Sequence, residues 1–108
     1  MRFRLRSSAR DESADARRLS SIERALLDAI SDAETEKRGL SRRLERTRGR
    51  AAALLGDEYQ GRDEKSERML VEEEHNLIAG QRRVRQLGAH LEHLGRMLDL
   101  LKQETTAP

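Results

Sequence analysis

Residues 54–64 read LLGDEYQGRDE, an acidic stretch holding two glycines and the chain's single tyrosine. Leucine- and arginine-rich sequence flanks it on both sides. Gly56 is a natural left-handed stop for a preceding helix. Asp63 and Glu64 suit the start of a following one, because carboxylates are stabilised by the positive end of the helix dipole. The stretch reads as a turn, centred near Gln60, between two helices.

The sequence on either side supports this. After the turn, Leu70, Glu73, Leu77, Gly80, Val84, Leu87, Leu91, Leu94, Leu98 and Leu101 recur at alternating steps of three and four. That is the heptad seam of a coiled coil. Before it, Leu19, Ile22, Leu26, Ile30, Ala33, Lys37, Leu40, Leu44, Thr47, Ala51 and Leu54 form a second seam. Two steps of four follow each other at Ile22, Leu26 and Ile30, a stutter that locally unwinds a supercoil. Folded back on each other, the seams meet in pairs whose positions add to 120 or 121, among them Ile22 with Leu98, Leu26 with Leu94, Ala33 with Leu87 and Ala51 with Leu70.

The expected fold is all-α: an antiparallel two-helix coiled-coil hairpin that dimerises into a four-helix bundle. Its expected parts are a basic N-terminal arm at 1–8, helix 1 at 9–56, an acidic turn at 57–63, helix 2 at 64–103 and a tail at 104–108. Ser8 with Asp11 is the expected capping box of the first helix. Dimerisation is expected because one seam is too little core for so small a chain. The residues available for it are Leu27, Ala25, Met97 and Leu100 beside the seams, with Gly88 and Gly95 seven apart, where a second helix could approach closely.

Composition agrees with solvated helices. The 108 residues are 35% hydrophobic, 2% aromatic and 39% charged, which denies the chain an ordinary globular core and fits long helices. Net charge is only +2, so an electrostatic partner must be held by a local patch. Three of the 22 basic residues are lysine, leaving nineteen arginines. With no cysteine, disulfides and thiolate metal sites are excluded. No apolar run has membrane-spanning length, and the basic MRFRLR start lacks an apolar signal core, so a cytoplasmic protein is expected.

Three features bear on function. Lys37, Arg38, Arg42 and Arg43 should face Arg82, Arg83 and Arg85 across the hairpin, forming a belt whose two segments contain no acidic residue. Such a belt suits an acidic partner or sequence-independent contact with nucleic acid phosphates, since no aromatic side chain lies nearby for base stacking. Nearer the turn, Glu72, Glu73 and Glu74 should lie opposite Arg46 and Arg48 as a register device. The tip residues Asp57, Glu58, Tyr59, Asp63 and Glu64 form the second candidate surface. In general outline an acidic-tipped hairpin resembles the transcription factors that insert such a finger into the RNA polymerase secondary channel. The third feature is Glu72-x-x-His75, whose spacing resembles the ligand pattern of ferritin-like di-iron bundles; counted from Leu70, however, both residues fall at outward heptad positions.

No nucleophile, base and orienter come together, so no enzyme activity, cofactor or resident metal is expected. In gross form the hairpin resembles small helical proteins of the flagellar and type III secretion export apparatus, a likeness that implies adaptor or chaperone-like work. The expected function is thus a non-catalytic adaptor that binds itself and a protein partner. Nonspecific nucleic-acid binding through the belt and a ferritin-like metal-binding oligomer are the alternatives.

Overall fold

The computed structural model describes residues 7–56 and 64–106. Two helices account for them: α1, Ser8–Gly56, of 49 residues, and α2, Glu64–Thr106, of 43 residues. They pack as an antiparallel hairpin, with no strand among the described residues. The arm up to residue 6 and the acidic turn at 57–63 lie outside the described residues. The chain's one proline is Pro108, so none interrupts the backbone ladder of either helix.

Helix α1 starts one residue earlier than the expected capping box would place it. The Arg10 backbone N–H donates to Ser7 Oγ at 3.1 Å, and the Asp11 N–H donates to the Ser7 carbonyl at 3.2 Å. Ser7 is therefore the N-cap, and Ser8 is the first helical residue. A box needs a carboxylate three residues beyond the cap, and Arg10 stands there instead. Asp11 still lies in the first turn, where its charge favours the helix dipole. At the other end, α2 continues three residues past the expected boundary, to Thr106.

The chain divides into two compact units. The first combines the chain up to Asp32 with the chain from Glu92 onward; the second is Ala33–Leu91. In the second unit the heptad seam is the core: Ala33, Leu44, Thr47, Ala51, Leu70 and Leu87 are buried, Leu87 to 1% exposure. Gly80 is part of this seam. A Cβ added there would collide with Leu44 Cδ2 and come within 3.2 Å of Leu44 Cγ, so the leucine knob fills the space that glycine leaves.

The first unit is more thinly packed. Leu94 is its only buried apolar side chain among the described residues, while Leu19, Leu26, Leu98 and Leu101 are half-buried. Here the expected seam needs a correction, because Ile22 is 50% exposed and Glu23 is half-buried in its place. Counting back from Ala33 and Leu26 in unbroken heptads puts Glu23 and Leu19 on the seam and Ile22 beside it. The helix keeps its phase rather than accepting the stutter, since seating Ile22 would rotate the rest of the seam away from α2.

Candidate partner-binding surfaces

In the heptad frame the seam occupies positions a and d, and the flanking positions e and g line opposite sides of an antiparallel pair. Within the Ala33–Leu91 unit this separates the expected belt into two groups. On the g side Arg83 reaches Glu36 with both prongs of its guanidinium, Nε to Oε2 at 2.9 Å and Nη2 to Oε1 at 3.1 Å. These hydrogen bonds from Arg83 hold the Glu36 carboxyl below the usual glutamate range, assisted by the charges of Arg83 and Arg43, and they raise Arg83 in turn. Glu36, just before the KRGLSRR segment, thus supplies a counter-charge that neither belt segment contains. Arg43 shares this side, and Arg82 sits at the outward position next to Arg83.

Farther along the g side, Arg50 Nε donates to Glu73 Oε1 at 3.2 Å and Arg50 Nη2 donates to Thr47 Oγ1 at 3.1 Å. The interhelical register pair is therefore Arg50 with Glu73, whereas Arg48 turns to Glu45 on its own helix at 2.7 Å. Glu73 is a seam residue and its second oxygen, Oε2, is buried without a hydrogen-bond partner. A carboxylate on the seam can be neutralised only by an arginine long enough to reach inward from position g.

The e side differs. Two open hollows of about 590 and 470 Å³ adjoin there, sharing Ser41 and Arg42. Their floor is apolar, made of Leu44, Val84 and Leu91. Lys37, Arg38, Arg42 and Arg85 stand around it. Of these, Arg38 donates to Thr35 Oγ1 at 3.4 Å, and none of the four has a carboxylate within ion-pair distance among the described residues. Gly88 gives Lys37 room, with Nζ lying 3.8 Å from where a Cβ on residue 88 would be. The sequence showed the charges but not this division, which depends on heptad phase and on Glu36 lying outside the basic segment.

Large apolar side chains remain exposed in both units. In the first they are Ile22, Leu27, Met97 and Leu100; in the second, Leu55, Met69, Val71 and Ile78. Heptad counting puts Ile22 and Met97 at position g, with Leu100 and Ala25 adjacent at c, so they share one flank of the first unit. Leu27 and Gly95 fall at position e, on its other flank, and no atom comes within 4 Å of a Cβ built on Gly95. Gly88, also at position e, belongs to the second unit. The residues expected to form one oligomer interface are thus divided between two sides. Val71 and Ile78, which composition did not single out, lie at position b in line with Arg85, next to the e-side hollows.

Of the tip residues, Glu64 is the first residue of α2, and Asp57, Glu58, Tyr59 and Asp63 lie outside the described residues. Glu72 and His75 are both exposed, and no group of three or more His, Asp or Glu residues able to hold a metal occurs among the described residues. Farther along α2, in the first unit, His93 has its Nδ1 3.5 Å from Arg96 Nη2, a donor that would compete with a metal for that lone pair. No described helix is long and apolar enough to cross a membrane. No protein-family model, curated protein or solved structure matches the chain.

Proposed function

We propose that this chain is a non-catalytic, chaperone-like adaptor of the cytoplasm that self-associates through its first unit and presents other flanks to a protein partner. The observation that carries this reading is the imbalance in that unit, where one apolar side chain among the described residues is buried while Ile22, Leu27, Met97 and Leu100 stand near half exposure or above it. A helix pair with so little core gains more from covering those side chains than from keeping them in water, at roughly 25 cal/mol for each Å² removed. Ile22, Met97 and Leu100 share a flank, so a second copy related by a two-fold axis would cover all three at once and give a four-helix bundle. The hollows are open along their length, a form that suits a docked helix better than a reaction needing a dry pocket.

Light scattering and sedimentation test the self-association. A mass near twice the 12.4 kDa monomer is expected at micromolar concentration. The triple variant Ile22→Ser, Met97→Ser, Leu100→Ser should remain helical yet dissociate at least about tenfold more readily, each tenfold being roughly 1.4 kcal/mol. A wild-type monomer that stays folded at millimolar concentration overturns the dimer. Affinity capture from the native host should also recover a stoichiometric protein other than the chain itself; repeated recovery of the chain alone overturns the adaptor reading.

A further inference from the structure

Resting on the adaptor reading, we propose that the e side of the Ala33–Leu91 unit is a docking groove for an acidic amphipathic helix of a partner protein. Two features of that side converge on this chemistry. Its floor, Leu44, Val84 and Leu91, is apolar and open, and two large apolar side chains continue it along α2, with Val71 at 51% exposure and Ile78 at 57%. Its rim carries Lys37, Arg38, Arg42 and Arg85, none of them ion-paired among the described residues, and of the two carboxylates beside them, Glu34 and Glu45, Glu45 is held by Arg48. A ligand that fills the floor must be apolar along one stripe, and one that satisfies the rim must be anionic beside it. An amphipathic helix with leucine on one face and glutamate or aspartate at the margins meets both demands. Val71 to Leu91 spans twenty helical steps, about 30 Å, which a helix of roughly 20 residues matches.

The alternatives match less of the surface. A nucleic-acid backbone offers nothing to the apolar floor of Leu44, Val84 and Leu91. A second copy docking by this side would set Arg42 and Arg85 against their own counterparts, and like charges in an interface cost binding energy. The g side is less suited to an acidic helix, because Glu36 and Glu73 already engage Arg83 and Arg50 there.

The test uses the full chain and a labelled synthetic helix of about 20 residues with leucine on one face and glutamate elsewhere, a counterpart with lysine for every glutamate, and a short DNA duplex. Fluorescence anisotropy should show the glutamate helix binding at least about tenfold more tightly than the lysine helix. Arg42→Glu combined with Arg85→Glu should weaken it by a similar factor, and Ile78→Ser should weaken it without changing its salt dependence. All three positions are exposed, so circular dichroism of the variants should match the wild type. Equal binding of the two peptides overturns the proposal, as does glutamate-helix binding that the variants leave unchanged. DNA binding lost in the arginine variants, with no peptide bound, overturns it in favour of nucleic acid. The adaptor reading fails separately, on host capture with the wild-type chain.

Discussion

Leu44 fills the space beside Gly80 in the second unit, and their fit can be measured. Gly80→Ala gains about 1 kcal/mol of helix propensity but forces a methyl into Leu44, an overpacking that costs about 1–3 kcal/mol. The expected net effect is destabilisation of about 1 kcal/mol. In a Leu44→Val background, which removes the colliding Cδ2, the same change should cost less, with a coupling of at least about 0.5 kcal/mol in a double-mutant cycle by urea unfolding. Glu36 provides a second residue-scale check. Because Arg83 lowers its proton affinity in the folded state, the unfolded chain binds more protons across the acid range. The pair's contribution is complete above the ordinary glutamate range and is lost as pH falls through the lower folded-state value. An NMR titration should place the Glu36 midpoint below that of an ordinary glutamate, and Arg83→Gln should return it toward normal.

At the scale of the helices, caps and glycines set what can be improved. Ser7→Ala removes the acceptor of the Arg10 N–H and should cost about 1 kcal/mol, whereas Ser8→Ala should cost much less. Gly49 has no atom within 4 Å of a built Cβ, so Gly49→Ala should stabilise α1 by about 0.5–1 kcal/mol in thermal unfolding. Glu73→Leu should stabilise as well, by about 1 kcal/mol, since it removes a buried unpaired oxygen from the seam and leaves behind only an exposed arginine. The helices themselves were legible because leucines repeat in heptads on both sides of a glycine-bounded acidic stretch. Ile22 misled because it is the more apolar of two adjacent candidates, while phase continuity with Leu26 and Ala33 placed Glu23 on the seam. Arg50 was not read as the partner of Glu73 because a one-dimensional pairing of charges ignores the reach of a g-position side chain.

For the whole molecule, the contrast between the units matters more than any single contact. Ala33–Leu91 buries a run of seam residues, whereas among the described residues of the other unit Leu94 is the one buried apolar side chain. If the exposed Ile22, Met97 and Leu100 are covered by a second copy, folding and association are linked, and the midpoint of thermal unfolding should rise with protein concentration. The triple serine variant should flatten that dependence. The sequence showed that apolar residues lay outside the seams; it did not show which shared a flank, because that depends on the corrected phase at Ile22.

The Leu44 knob over Gly80 also bears on how the chain tolerates evolution. Sliding one helix by a heptad would put Leu44 against Leu87 or Glu73, neither of which leaves the space that glycine does. Alignment of the pair is thereby encoded in the packed helices instead of in the length of the connector, and lengthening a connector costs only about 0.6 kcal/mol for each doubling. Extra residues inserted between α1 and α2 should leave the pairing intact, which makes that segment the natural place for relatives to differ or for an engineered cargo to be spliced in.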